Sequence, residues 1–293
     1  MIAFFDILLG GVFHAAVLFL VAAGLQLVFG VQKIVNLACG SFYALGAYFG
    51  ISSVNWALAA GIPSWMFLPV LIASGILLGA IGPAIEALLR TIYARDEAFQ
   101  LLLTFALLLM FQDVLRFLWG PNPQQLGNLA MSYGKVSAGA VTIPTYNLLV
   151  IVASVLIAVG IGAFLKRTRF GRILRATAEN REMSQALGVN VHWMYASVFT
   201  LGTILGTVGG ALVVPTAAAS LDMPVELVVE AFAVVVIGGL GSMRGALVGA
   251  LIVGLMRAAA ITFYAELEIL AIYLVVIVVL IARPAGLFGK PIE

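Results

Sequence analysis

Long apolar runs alternate with short polar joints along this chain, and each run is long enough to be assessed on its own. A membrane crossing needs roughly 20 apolar residues. Residues 7–29, 34–54, 65–89, 98–118, 146–165 and 193–214 each supply one, the last ending at Pro215. No charge occurs from Ile34 to Ile85, which leaves room for two crossings with Gly61-Ile62-Pro63 as the turn between them. The last third is less regular. Segments 226–240, 245–263 and 267–282 are further candidates, and the first of these is short enough for a half-helix or a re-entrant piece. The pattern predicts an all-α, polytopic transmembrane helical bundle of about eight or nine segments, forming a single domain over 1–293.

One joint differs from the others. Residues 166–191 carry Lys166, Arg167, Arg169, Arg172, Arg175 and Arg181, six of the fifteen cations, between an uncharged run of 30 residues (136–165) and one of 39 (183–221). Such a segment must sit in water. Gly171 is expected to separate a basic arm from a helical half, with Ala176 to Leu187 helical and Gly188 ending the helix. Ala176, Met183, Ala186 and Leu187 then share a face that Glu179, Arg181 and Glu182 avoid. That short ridge invites a partner; the plainer alternative is a solvated loop whose arginines meet anionic lipid head groups.

Cation placement sets the orientation. With the N-terminus outside and nine crossings, Lys33, Arg90, Arg95, the six cations of 166–181, Arg244, Arg283 and Lys290 all lie inside, leaving Lys135 outside. The reading is therefore N-out and C-cytoplasmic, and it depends partly on segment 226–240 crossing. The largest external loop is 120–145, made turn-rich by Pro121, Pro123, Gly127, Asn128 and Gly134. Composition agrees: 63% of residues are hydrophobic and 10% charged, against about 25% charged in soluble domains, so the chain could not cover a water-facing surface. The net charge of +2 comes from loop cations rather than a basic face, which argues against a nucleic-acid partner. A single cysteine, Cys39, excludes an internal disulfide and a cysteine-built metal site. The first ten residues lack a basic n-region, so no cleavable signal is expected. Gly202, Gly206 and Gly210, Gly46 and Gly50, and Gly75 and Gly79 recur at four-residue spacing, as helices packed closely in lipid require.

Several segments carry a family resemblance. RATAENREMSQALGVNV (175–191) resembles the coupling loop of ABC-importer permeases of the branched-chain amino acid type. FGVQKIVNLACGSFYALGAYFG (29–50), FLWGPNPQ (117–124), VVVIGGLGSMRGALVGALIVG (234–254) and RPAGLFGK (283–290) are similar to family segments in the same order. The chain departs at Ala38-Cys39-Gly40-Ser41, where the family's usual Ala-His-Gly-Glu would supply a histidine and a carboxylate. The resemblance implies a LivH-type permease subunit in a bacterial or archaeal plasma membrane. Its implied partners are a paralogous LivM-type permease, two ATP-binding subunits and an extracytoplasmic solute-binding protein. Coupling would run through Arg175, Glu179, Glu182, Met183, Ala186, Leu187 and Gly188. No cofactor is implied in this chain; ATP-Mg would sit on the partner subunits. No G-x-x-x-x-G-K-[ST] occurs, and Gly289-Lys290 is followed by Pro291.

Polar groups inside apolar segments are site candidates by default. Asn36, Gly40 and Ser41 open the second segment; a helix broken at Gly40 would free backbone for a solute path, whereas Asn36 as a helix cap would be ordinary. Glu226 and Glu230, four apart, face one side at the start of segment 226–240; they would meet an ammonium, fix a gate, or merely favour the helix dipole. Gln112 closes the fourth segment beside Asp113 and Arg116, which are spaced to pair. His14 lies alone in the first segment, Glu86 and Arg90 are spaced to pair, and Arg257 has Glu266 or a partner subunit as its candidate counter-charge. The two histidines, His14 and His192, form no metal or catalytic constellation. The expected function is an ABC importer permease for branched-chain or other amino acids. Urea, short amides and organic or aromatic acids are the alternative solutes. The rival classes are a self-sufficient secondary transporter or channel and a structural membrane subunit.

Overall fold

The computed structural model describes residues 2–93, 95–138 and 141–289. Twelve α-helices follow in order: α1 (Ile2–Gln32), α2 (Cys39–Ala59), α3 (Phe67–Gly79), α4 (Gly82–Leu89), α5 (Glu97–Trp119), α6 (Thr145–Arg167), α7 (Arg169–Glu179), α8 (Arg181–Ala186), α9 (Val191–Val213), α10 (Met223–Gly238), α11 (Met243–Phe263) and α12 (Glu268–Ala282). Among the described residues six helical stretches are long and apolar enough to cross a membrane: Ile7–Gln32, Ser64–Ile92, Ala98–Trp119, Thr145–Arg167, Val191–Val213 and Met243–Phe263. Lys290, counted above with the cytoplasmic cations, lies outside the described residues.

Three segments differ from expectation. The second helix begins at Cys39, later than the apolar run, because residues 33–38 are irregular yet mostly buried; Lys33 adopts φ 60° and Ile34, Asn36 and Ala38 are enclosed. Their backbone finds local partners, as enclosed backbone must: Asn36 Oδ1 accepts from the Ala38 N–H at 3.1 Å and the Val35 carbonyl accepts from Thr104 Oγ1 at 3.4 Å. The third segment is two helices, with Pro83 in the first turn of α4, where its missing N–H is harmless. Glu86, fully enclosed near the end of α4, is held by Arg90 at 2.6 Å and by the Tyr93 hydroxyl at 3.1 Å. The 120–145 loop contains an antiparallel hairpin, β1 (Lys135–Ala138) with β2 (Val141–Pro144). Val136, Val141, Thr142 and Ile143 are β-branched, and the turn signals around them masked that preference.

α9 is the centre of the bundle. α1 runs antiparallel along one side of it, with Gly24 against Gly202 and Val17 and Val21 against Gly209. α2 and α3 cover the other side. A Cβ on Gly46 would overlap the Thr207 carbonyl oxygen, one on Gly210 would overlap the Tyr43 oxygen, and Gly75 sits on Val208. Thr207 Oγ1 donates to the Gly75 carbonyl at 2.7 Å. α11 packs antiparallel to α1, Gly11 meeting Gly254 and Leu255. α6 instead stands at the edge, with Val152, Val155, Leu156 and Val159 exposed as lipid-facing residues would be. α10 has 16 residues, about 24 Å of helix, short of a hydrocarbon layer of about 30 Å.

Gly46→Ala should therefore lower the stability of the detergent-solubilised chain by about 2–3 kcal/mol, because backbone, not a flexible side chain, blocks the new methyl. Gly10→Ala, with nothing within 4 Å of its Cβ, should leave it unchanged. Thermal unfolding of both variants checks the contrast.

Candidate functional site

Two of the cavities among the described residues lie at opposite ends of the bundle. The first, about 410 Å³, sits between α1, α2, α10, α11 and the 214–222 linker that leaves α9. Four helices each bring an ionisable side chain to it or to its wall. α10 carries Glu226 and Glu230 one turn apart, α1 carries His14, α11 carries Arg257 and α12 carries Glu268. His14 Nε2 lies 2.7 Å from Glu230 Oε2, and Arg257 Nη1 lies 3.0 Å from Glu230 Oε1. Arg257 Nη1 also stands 3.1 Å from His14 Nδ1, and Arg257 Nε pairs with Glu268 Oε1. The same guanidinium nitrogen lies 2.9 Å from His14 Nε2, so it sits against the edge of the imidazole ring.

Glu230 is buried and Arg257 about a quarter exposed, so the cluster is neither solvated nor dry. Charges at membrane depth persist when each has a partner, and the partners here come from helices far apart in sequence. Sequence reading sets His14 apart as a lone histidine and offers Glu266 to Arg257; the structure pairs Arg257 with Glu268 and Glu230 instead. The available signal was the scarcity of charge: an apolar segment holding one histidine and another holding one arginine leave little choice of partner. Their juxtaposition depends on the α1–α11 packing, which spacing alone does not encode.

The remaining polar candidates are placed differently. Asn36 is buried and its side chain closes the turn before α2; the residue preceding that helix is Ala38, which makes no side-chain cap. The helix is continuous through Gly40, whose Cβ position is filled by the Pro224 carbonyl oxygen. Ser41 is fully buried, with Oγ donating to the Leu108 carbonyl at 3.1 Å. Gln112 Nε2 donates to the Leu221 carbonyl at 2.8 Å, tying α5 to the 214–222 linker. Asp113 and Arg116 form no ion pair among the described residues.

At the other end, α7 and α8 follow α6. Helix α7 begins at Arg169 and runs through Gly171, so the expected boundary at that glycine is not there. Thr168 caps it by accepting from the Gly171 N–H at 3.2 Å, and Gly171 is needed because a Cβ would overlap the Leu165 carbonyl oxygen. The single helix expected over 176–187 is broken at Asn180, which caps α8 through the Met183 N–H at 2.9 Å. Gly188 does end it, with φ 84°. Leu174, Thr177 and Ser184 are buried against the bundle, while Glu182, Met183, Ala186 and Leu187 face outward, Leu187 at 77% exposure. Arg175 Nη1 donates to the Leu165 carbonyl at 2.7 Å. Arg175 and Glu179 also border the second cavity, about 940 Å³, with Lys33, Gly241, Pro284 and Phe288. Among the described residues no group of three or more metal-ligating side chains occurs.

Arg257→Met should cost about 2–3 kcal/mol, since it leaves Glu230 and Glu268 without their shared counter-charge. In a background carrying Glu230→Gln and Glu268→Gln the same change should cost less. A double-mutant comparison by chemical denaturation in detergent measures the difference, and equal costs in the two backgrounds would show that the cluster is not coupled.

A family model described as branched-chain amino acid transport system / permease component matches residues 7–282. Among curated proteins, the high-affinity branched-chain amino acid transport system permease protein BraD of Pseudomonas aeruginosa is 27% identical over 288 residues, covering 93% of this chain and 91% of its own. The LivH permease protein of Salmonella typhimurium is 26% identical over 286 residues with the same coverage. The ribose import permease protein RbsC of Haemophilus influenzae is 26% identical over 250 residues, covering 81% of this chain and 72% of its own. With a match over nearly its whole length, and with a bundle of apolar helices to carry it, this chain belongs to the branched-chain amino acid transport permease family.

Proposed function

We propose that this chain is one membrane-embedded permease subunit of an ATP-driven importer for branched-chain or related amino acids. The carrying observation is the α8 ridge. Met183 and Leu187 are exposed apolar side chains one turn apart, on a capped helix at the cation-rich end, and nothing among the described residues covers them. A rigid helix with such a face fits a cleft on a soluble motor subunit, and family membership supplies the reason for one. ATP-Mg binds on two such partner subunits, and a paralogous permease completes the membrane path. An extracytoplasmic binding protein delivers solute to the far end, near the 120–145 loop and the cavity lined by Glu226 and Glu230. The N-terminus lies outside and the C-terminus in the cytoplasm, with α2, α10 and α12 joining the six long stretches as membrane segments. The sugar permeases among the relatives keep the solute open within the same transporter class. Urea, short amides and organic or aromatic acids are the further alternatives.

A second reading draws on the His14–Glu230–Arg257–Glu268 cluster, because intramembrane acids are what an ion-coupled transporter needs. Proteoliposome uptake separates the two: under the importer reading ATP and partner subunits are required, and an imposed ion gradient alone drives nothing. Leu187→Asp should abolish uptake and solute-stimulated ATP hydrolysis while the chain still inserts and unfolds at its usual temperature. Persistent uptake in that variant would remove α8 from the coupling role.

A further inference from the structure

We infer that the cavity of about 940 Å³ at the cation-rich end of the bundle is a binding site for the head group of an anionic phospholipid that carries free hydroxyls, as phosphatidylglycerol does. The inference goes beyond the importer reading and does not depend on it, since it needs only that this end of the bundle meet a lipid surface. Position is the first argument. Four helices of the bundle end or begin on the cavity: α1 at Gly30, α10 at Val236, α11 at Ser242 and α12 at Leu280. Such a convergence of helix ends lies where hydrocarbon gives way to head groups. The lining divides accordingly. Leu240, Leu280 and Phe288 form an exposed apolar side, and Lys33, Arg175 and Glu179 form a charged one.

Charge is the second argument. Neither Lys33 nor Arg175 has an ion pair among the described residues. Arg175 gives Nη1 to the Leu165 carbonyl at 2.7 Å, which leaves the rest of its planar fork for a phosphate, the geometry a guanidinium matches. Two cations against the single carboxylate of Glu179 leave an excess positive charge. A phosphodiester of charge −1 cancels that excess, and Glu179 then accepts from a head-group hydroxyl. The third argument is backbone conformation. Among the described residues Lys33 is the one non-glycine residue with positive φ, at 60°, a conformation that is costly for a lysine and free for a glycine. Lys33 is exposed between the enclosed Gln32 and Ile34, and its Nζ has only the Phe29 ring, 5.8 Å away, so little in the packing of its own side chain offsets the strain. Strain of this kind collects at ligand-binding positions, and a phosphate on the Lys33 ammonium supplies the missing contact. The volume lies near the top of the range for ligand sites, roughly 300–1,000 Å³, which suits a head group with the start of its acyl chains better than a free phosphate ion.

The test uses the full chain in a mild detergent, titrated with phosphatidylglycerol, phosphatidylethanolamine or phosphatidylcholine, with lipid-bound species counted by native mass spectrometry. Glycerol 3-phosphate and inorganic phosphate serve as soluble competitors. One phosphatidylglycerol is expected to bind more tightly than either zwitterionic lipid, and the competitors should not displace it. Lys33→Gly removes the ammonium and relieves the backbone, so the melting temperature should hold while phosphatidylglycerol binding falls about fivefold. Arg175→Gln should weaken binding by a similar factor. Arg172→Gln is the control: it removes a cation of the same helix that does not border the cavity, and binding should stay nearly unchanged. Equal losses from Arg172→Gln and Arg175→Gln would show diffuse attraction to a basic surface and overturn the site, as would equal binding of the three lipids. Displacement by inorganic phosphate would make the ligand a soluble anion and overturn the lipid assignment. A lower melting temperature with unchanged binding in Lys33→Gly would show that the strained lysine serves the fold, and would remove it from the site.

Discussion

Backbone meets backbone along α9, and the rest of the bundle is arranged around that fact. In lipid, helices gain little from excluding apolar surface from one another, so close van der Waals contact and hydrogen bonds must hold them together. Gly46 and Gly210 remove side chains where α2 crosses α9, Gly75 and Gly79 do so for α3, and Gly24 and Gly202 do so for α1. The approach is near enough for Thr207 to hydrogen-bond the Gly75 carbonyl across the interface. Three helices are thereby fixed on one axis, and the position of α1 in turn fixes α11 through Gly11 and Gly254.

The charged cluster follows from this packing. His14 and Arg257 would each be an isolated polar group on its own helix. Once α1 and α11 lie antiparallel in close contact, the two side chains fall at one level, and the shorter α10 and α12 bring Glu230 and Glu268 to them. No single partner satisfies Arg257; two carboxylates from different helices do. Truncation of α10 to 16 residues, together with the irregular 214–222 linker, leaves room above the cluster instead of another turn of helix. The cavity is thus a product of helix length as much as of side-chain chemistry.

Much of the fold was legible because hydrophobic runs and cations are strong signals in lipid. All nine apolar segments correspond to helical structure, and the short seventh is indeed short. What escaped was local backbone. The delay of α2 to Cys39 was hidden because residues 34–38 are nearly all apolar and satisfy their backbone through Asn36 and Thr104 rather than through a helix. The break at Asn180 looked like helix interior because its neighbours are good helix formers, although asparagine accepting from the N–H three residues on is a capping pattern. At the candidate site the pairing of Glu226 and Glu230 on one face was readable from their spacing. Their union with His14, Tyr43 and Arg257 was not, since glycine contacts between helices from opposite ends of the chain bring those residues together.

The two cavities are joined by one element. Val236 of α10 and the turn that follows it, Leu240 to Ser242, border the larger cavity, while Glu226 and Glu230 at the helix's other end border the smaller one. The turn is held tightly. Gln26 of α1 donates from Nε2 to the Gly239 carbonyl at 3.0 Å and accepts from the Gly241 N–H at 2.5 Å. The Leu287 and Phe288 N–H groups complete the last turn of α10 by donating to the Ile237 and Gly238 carbonyls at 2.8 and 3.1 Å. These are the carbonyls a helix end leaves without intrahelical partners, so the segment after α12 serves as a backbone cap for α10. Arg175, Ala178 and Glu179 of α7 line the larger cavity on the side facing that cap. At its opposite end the rigid helix α10 carries the Glu230 carboxylate, whose contacts to His14 and Arg257 are short and directional. Because close-packed interfaces resist continuous deformation, movement of α10 must either carry α1 and α11 with it or break those contacts. Breaking them would separate the Glu230 carboxylate from both His14 and Arg257.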